Sequence, residues 1–278
     1  MTAGGVVVGE PAMPRPKLAP AFSCTSDADH AAAEDPSDVS TPSTCSNVSE
    51  AGEAETEDSD SDFRNRFERE ETVFIFDWDD TVVPSTWLHD NALAFDGSVP
   101  WQPEHQEQLA QLAASAAKTL RLAKLLGTVV LVTNAERGWI ELSCQRFLPC
   151  LYPLLENVKM LSARSAYERA DRTNPFDWKL LAFGTEIGRI FNNDLFARHR
   201  RRQKIAPRRN VLSLGDSAHE REAVFRTTAC IQNCRTKSLK FADKPTVEQL
   251  CRQHQLVSRC LRRIVHHDGD LDLCISAS

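Results

Sequence analysis

Two carboxylates one residue apart, Asp77 and Asp79, follow directly on the apolar run Val73-Phe74-Ile75-Phe76, and Thr81 stands two places further on. A short continuous run rich in β-branched and aromatic side chains reads as a strand buried on both faces. Alternation along an extended chain turns Asp77 and Asp79 the same way, just where that strand runs out. The carboxyl tips of central strands are where open α/β sheets bind their ligands. Two further strand-like runs end in related chemistry. Residues 128–132 lead into Thr133-Asn134, and residues 211–214 lead into Gly215-Asp216-Ser217, with Glu220 a turn later. Lys179 falls between them, at the start of a helical segment. Acids, a lysine and a hydroxyl at strand ends are the groups that metal and phosphate chemistry needs. Singly, each also reads as an acidic turn, a strand end or a surface lysine.

The elements that must position these residues can be read in order. Residues 82–103 form an irregular stretch, and 104–126 a helix with Leu109, Leu112, Ala113, Ala116, Leu120 and Ala123 on one face and Gly127 as its stop. A helix over 136–147 is closed off before Pro149. A short third strand spans 158–161, and a helix starts near Phe176 or Asp177. A polar, basic connection over 191–210 precedes the fourth strand, and a helix over 220–226 follows it. A further strand is expected over 238–241. From Pro245 an amphipathic helix turns Val247, Leu250, Val257, Leu261 and Ile264 inward. The tract Asp268-Gly269-Asp270-Leu271-Asp272 lacks the rest of a calcium loop and reads as a turn; His266-His267 reads as an exposed helix end. Strands alternating with helices predict an α/β fold, a parallel sheet covered on both faces and wound with right-handed crossovers.

Composition divides the chain of 278 residues in two. Residues 1–62 carry thirteen acidic and two basic residues, a net charge of −11, with many prolines and one aromatic, Phe22. Such a segment buries too little apolar surface to offset the entropy of ordering it, and is expected to be a disordered acidic tail. Residues 63–278 carry +5 and are ample for one core. Nine cysteines, an odd number with no CxxC pair, fit a reducing compartment in which most thiols act as small buried hydrophobes, and make a zinc site unlikely. The N-terminus lacks a basic region followed by an apolar core, and no apolar run approaches a bilayer span. The expectation is a soluble protein of cytoplasm or nucleus.

Taken together, Asp77-Trp78-Asp79-Asp80-Thr81, Thr133, Lys179 and Gly215-Asp216 with Glu220 resemble the four ordered motifs of the haloacid dehalogenase-like phosphohydrolases. The stretches 76–81, Ser162-Ala163-Arg164 and Trp178-Lys179 are similar to one eukaryotic branch whose members begin with FDWDDT. The resemblance spans roughly residues 70–265 and implies a Rossmannoid domain over 63–278, working as a Mg²⁺-dependent phosphatase through a phosphoaspartate at Asp77. It implies that Asp77, the Asp79 carbonyl and Asp216 hold the metal. Lys179 would steady Asp77 and the phosphate. Thr133, with the Asn134 and Trp78 backbone N–H groups, would grip phosphoryl oxygens. Asp79 would be general acid and then base. Thr81 would tie down the Asp79 loop, and Ser217 and Glu220 would support the site, Glu220 through water or on the Asp216 shell. Trp78 is bulkier than the residue most members place there, and either walls the phosphate pocket or is core.

Only 22 residues separate Thr81 from the helix at 104 and 16 separate Leu161 from Trp178, too few for a cap domain. A capless, open site favours a phosphate displayed on a large partner such as a phosphoprotein. The basic segment Arg198-His199-Arg200-Arg201-Arg202-Gln203-Lys204, with Arg208 and Arg209, reads as an import signal, a dock for an acidic partner or a solvated loop. It has no interleaved aromatics, so nucleic-acid stacking has no support. Two other functions fit the same residues: a binding module that kept the fold and lost turnover, and a small-metabolite phosphatase closed by its 82–103 segment or a partner subunit.

Overall fold

The computed structural model describes residues 66–93, 100–193 and 206–276. The expected disordered tail over 1–62 and the core of the basic segment lie outside the described residues. Six strands, β1 (Thr72–Asp77), β2 (Thr128–Thr133), β3 (Lys159–Ser162), β4 (Arg209–Gly215), β5 (Cys234–Lys240) and β6 (Leu271–Cys274), form one parallel sheet in the order β3-β2-β1-β4-β5-β6. The chain enters at the central β1, steps outward through β2 and β3, and returns to β4 on the other side of β1. The order therefore reverses at β1, the place where such sheets open a crevice at their carboxyl ends. Register brings the site residues level: Asp77 lies opposite Val132, and Phe76 opposite Leu214.

Among the described residues seven helices cover the sheet: α1 (Ser85–Asp90), α2 (Pro103–Leu126), α3 (Trp139–Phe147), α4 (Ala163–Tyr167), α5 (Pro175–Asn193), α6 (Ala218–Thr228) and α7 (Val247–His266). The alternation of β1 decides which helix meets which residue. Phe74, Phe76 and Trp78 face α2, α3 and α7 in one core, while Val73 and Ile75 face α4, α5 and α6 in the other. Asp77 follows the Val73 and Ile75 side, toward α5 and α6. The expected inward faces of α2 and α7 are all buried.

The structure departs from the sequence reading in particular places. β5 begins at Cys234, four residues before the expected start, because its polar first part, 234–236, is paired with β4 alone, and only 237–240 lie between β4 and β6. The tract read as a turn is a bend followed by β6: Asp270 accepts from the Thr236 amide at 2.7 Å, Asp268 pairs with Arg235 at 2.8 Å, and Asp272 with Arg221. The helices of the first two connections lie on one face and those of the next two, running the other way, on the opposite face. The last connection places α7 back beside α2, so its hand is opposite to the other four rather than the same throughout. Part of the basic connection is ordered structure. Arg209 opens β4 and stacks 4.4 Å from the centre of the Phe191 ring, and Arg208 lies 4.0 Å over Phe67. Of the described cysteines Cys144 and Cys251 are buried, Cys234 and Cys260 are half-buried against the two cores, and Cys150, Cys230 and Cys274 are exposed, so fewer than half are buried thiols. His267 is exposed as expected, but His266 is half-buried, with Nδ1 accepting the Phe67 N–H at 3.2 Å.

Candidate functional site

Asp77 is the last residue of β1 and is buried beneath the strand ends. Lys179, the fifth residue of α5 and only 2 % exposed, reaches it with its ammonium. The same ammonium pairs with Glu220 Oε1 at 2.7 Å. Glu220 is set by a capping box: Ser217 caps α6, its hydroxyl accepting the His219 N–H at 3.1 Å and donating to Glu220 Oε2, which also takes the Ser217 N–H at 3.0 Å. Asp216 directly follows β4, and Lys240 Nζ holds its carbonyl at 3.0 Å. Oxygens of Asp77, Asp216 and Glu220 all lie within 4.8 Å of one another, a carboxylate triad that could bind a metal ion.

The charges of this cluster do not balance. Burial pushes the Asp77 carboxyl well above the usual range; Lys179 opposes this, while Glu220, Asp79 and Asp216 add to it. Burial, with the charges of Glu220 and Asp80, takes Asp216 up to about 7. Burial also acts against Glu220, but the Lys179 charge and the hydrogen bonds from Lys179 and Ser217 win, taking it down to about 2. Burial would lower Lys179, yet Asp77 and Glu220 hold it above the ordinary lysine value. Lys179 and Glu220 are thus an ion pair, and Asp77 and Asp216 are left short of positive charge. Carboxylates placed in this way could hold a metal ion.

Beyond β1 the chain makes a tight loop. The Val82 and Val83 amides both donate to the Trp78 carbonyl, at 2.9 and 3.0 Å, and Asp80 takes a left-handed conformation (φ 51°). Asp80 itself accepts from the Thr86 amide at 2.9 Å and the Thr86 hydroxyl at 2.5 Å, fastening the loop to α1. Asp79 turns toward the end of β2: its Oδ2 accepts from Thr133 Oγ1 at 2.5 Å, and its Oδ1 from Ser85 Oγ at 2.5 Å and Trp139 Nε1 at 2.8 Å. Trp139 starts α3 immediately after Gly138, whose positive φ of 89° lets the chain turn there. Buried His254 of α7 lies 2.8 Å from the Thr81 carbonyl through Nε2. Burial lowers its pKa to about 4, against that hydrogen bond, and because a carbonyl can only accept, the neutral ring carries its proton on Nε2.

Asp77, Lys179, Asp216, Ser217 and Glu220 therefore meet at one place, with Asp79 and Thr133 bonded to each other at the ends of β1 and β2. Several details differ from expectation. The Trp78 amide donates to the Val132 carbonyl at 3.1 Å, continuing the β1–β2 ladder, so it is not a phosphate donor here. The Trp78 indole is wholly buried in the α2–α3 core with Nε1 on Ser143 Oγ at 2.9 Å, so it is core and walls no pocket. Thr81 is tied through its carbonyl; its buried hydroxyl has no partner among the described residues. Asn134 follows Thr133 and its side-chain amide reaches the Pro175 carbonyl at 3.4 Å. Glu220 contacts Lys179 directly, a partner the sequence did not suggest for it, and also lies beside Asp216. Ser85 and Trp139 were missed, because neither lies in a strand-end motif.

Gly215 has a steric reason to be glycine. A Cβ there would sit 2.5 Å from Glu220 Cγ and 2.8 Å from its Cβ. Gly215→Ala is expected to displace Glu220 from Lys179 and cost about 1–3 kcal/mol, as overpacking does. Urea unfolding in the absence of metal measures it; a loss under about 0.5 kcal/mol would show that the loop yields freely.

Comparison of the chain with protein-family models, with curated proteins and with solved structures gives no match in any of the three. Among the described residues, no helix is long and apolar enough to cross a membrane.

Proposed function

We propose that this chain is a Mg²⁺-dependent phosphomonoester hydrolase of the haloacid dehalogenase-like kind, acting through a phosphoaspartate at Asp77. One observation carries the reading: a buried carboxylate at the tip of the central strand, paired with a buried lysine and with Asp216 at metal-ligand spacing. Asp77 and Asp216, joined by the Asp79 carbonyl, would hold Mg²⁺, whose charge offsets that of a phosphate dianion approaching a carboxylate. Asp77 attacks phosphorus, and Lys179 steadies both the carboxylate and the phosphoryl oxygens. Glu220 keeps Lys179 charged and in place. Asp79 protonates the leaving oxygen and then accepts a proton from the attacking water. Thr133 gives its one hydroxyl proton to Asp79 in the free site and would turn it to a phosphoryl oxygen only when a substrate binds.

The short intervals after β1 and β3 support an open site. Residues 163–174 contain α4 and a turn between Arg169 and Arg172, and 82–102 contain α1 among the described residues. A site without a cap favours a phosphate carried on a macromolecule, most readily a phosphoprotein. The test is a release assay with p-nitrophenyl phosphate, phosphopeptides and sugar phosphates, each with Mg²⁺ and with chelator. Mg²⁺-dependent release, greatest for phosphopeptides, is expected. Absence of release from every compound would favour a binding module, and a preference for sugar phosphates would favour a metabolite phosphatase.

A further inference from the structure

The Asp79 carboxylate is held asymmetrically. A carboxylate has about four lone-pair sites. Both on Oδ1 are taken, by Ser85 Oγ and Trp139 Nε1, whereas among the described residues Oδ2 accepts from Thr133 Oγ1 alone and keeps one site. An indole N–H can donate but never accept, so it keeps Oδ1 an acceptor in every state of the site. Ser85 comes from the first turn of α1 and Trp139 from that of α3, so two helices clamp one oxygen.

We propose that Trp139, assisted by Ser85, is a positioning residue for Asp79, fixing Oδ1 so that Oδ2 is the oxygen that gives and takes the proton. The inference rests on the phosphohydrolase reading above. In the first half-reaction the Asp77 oxygen bonds to phosphorus, the bond to the leaving oxygen breaks, and that oxygen takes the proton from Asp79 Oδ2. In the second, water attacks phosphorus, its proton passes to Asp79 Oδ2, and the Asp77–phosphorus bond breaks to release inorganic phosphate. A carboxylate free to rotate would divide its proton between two oxygens, only one of which lies beside Thr133.

Trp139→Phe removes the donor and keeps a ring. Loss of alignment should lower turnover of phenyl phosphate, whose leaving group needs its proton, on the order of 10–100-fold. The burst rate with p-nitrophenyl phosphate should fall far less. Trp139→His restores a ring N–H and should recover part of the loss. In an Asp79→Asn background Trp139→Phe should add almost nothing, since it acts through Asp79. Independently of turnover, the Trp139 indole N–H proton resonance, assigned by its disappearance in Trp139→Phe, should move in Asp79→Ala while the other four tryptophans stay in place. If Trp139→Phe does not fold, Ser85→Ala provides the same leaving-group comparison at the other Oδ1 donor. Equal losses for both substrates, an undiminished effect in the Asp79→Asn background, or an indole resonance indifferent to Asp79→Ala would each overturn the proposal. An inactive wild-type protein whose indole resonance does respond to Asp79→Ala would instead refute the phosphohydrolase reading, and the positioning role with it.

Discussion

Asp79→Asn should release one burst of p-nitrophenolate per protein molecule and then nearly stop. p-Nitrophenolate is a weak base and leaves without much help, so the first half-reaction slows only modestly. Attack by water on the phosphoaspartate has no such bypass, and there the loss should approach the full general-base factor of roughly 10²–10⁴. The asparagine should fit the site. Its oxygen can take the Ser85 and Trp139 bonds on the Oδ1 side, and its amide can face Thr133, whose hydroxyl accepts as well as donates. The accumulated adduct should be acid-stable, cleaved by hydroxylamine, and located on Asp77 by peptide mapping. Asp77→Asn should give neither adduct nor burst. Phosphate found on another side chain, or steady turnover by Asp77→Asn, would refute the mechanism.

How much of this was legible in the sequence depends on the range of the interactions involved. β1 announces itself because five of its six residues, 72–76, are buried ahead of Asp77 and four of those are apolar. α2 and α7 are legible because helical periodicity is a local property, and every residue assigned to their inward faces is buried. The nearness of Asp77 and Asp216 followed from placing motifs at strand ends, which is a property of the fold class, whereas Lys179, on a helix, was placed beside Asp77 only by the family resemblance. The Asp79 clamp was hidden: Trp139 lies 60 residues from Asp79, and a tryptophan opening a helix has no signal that separates donor from core residue. Trp78 is the converse case. Its position beside the proposed nucleophile suggested a site role, but alternation along the chain carries it into the opposite core. β6 escaped because a four-residue edge strand with one aspartate in it and two just before it looks like a turn until its partners Arg221 and Thr236 are known.

Lys179→Met should be the most destabilising single change at the site, and its effect should depend on pH in a diagnostic direction. The ammonium serves two buried carboxylates, Asp77 and Glu220. Removing one partner of a buried pair leaves an uncompensated charge and typically costs about 3–5 kcal/mol. For a domain of this size that corresponds to a fall in melting temperature of roughly 6–20 °C. In the wild type, the Glu220 pKa is lowered to about 2, so its contribution is complete above the ordinary glutamate range and is lost only as pH falls toward 2. Without Lys179, burial is the main influence left on Glu220 and raises its pKa, as it already does for Asp77. The folded variant then binds more protons than its unfolded chain above the ordinary carboxylate range, and its stability falls as pH rises. Asp216 titrates in both proteins and largely cancels in the comparison. The difference in unfolding free energy between wild type and variant, measured with chelator present, should therefore be large at pH 8 and clearly smaller at pH 5. A difference that is the same at both values, or smaller at pH 8, would show that Lys179 does not carry the charge of this site.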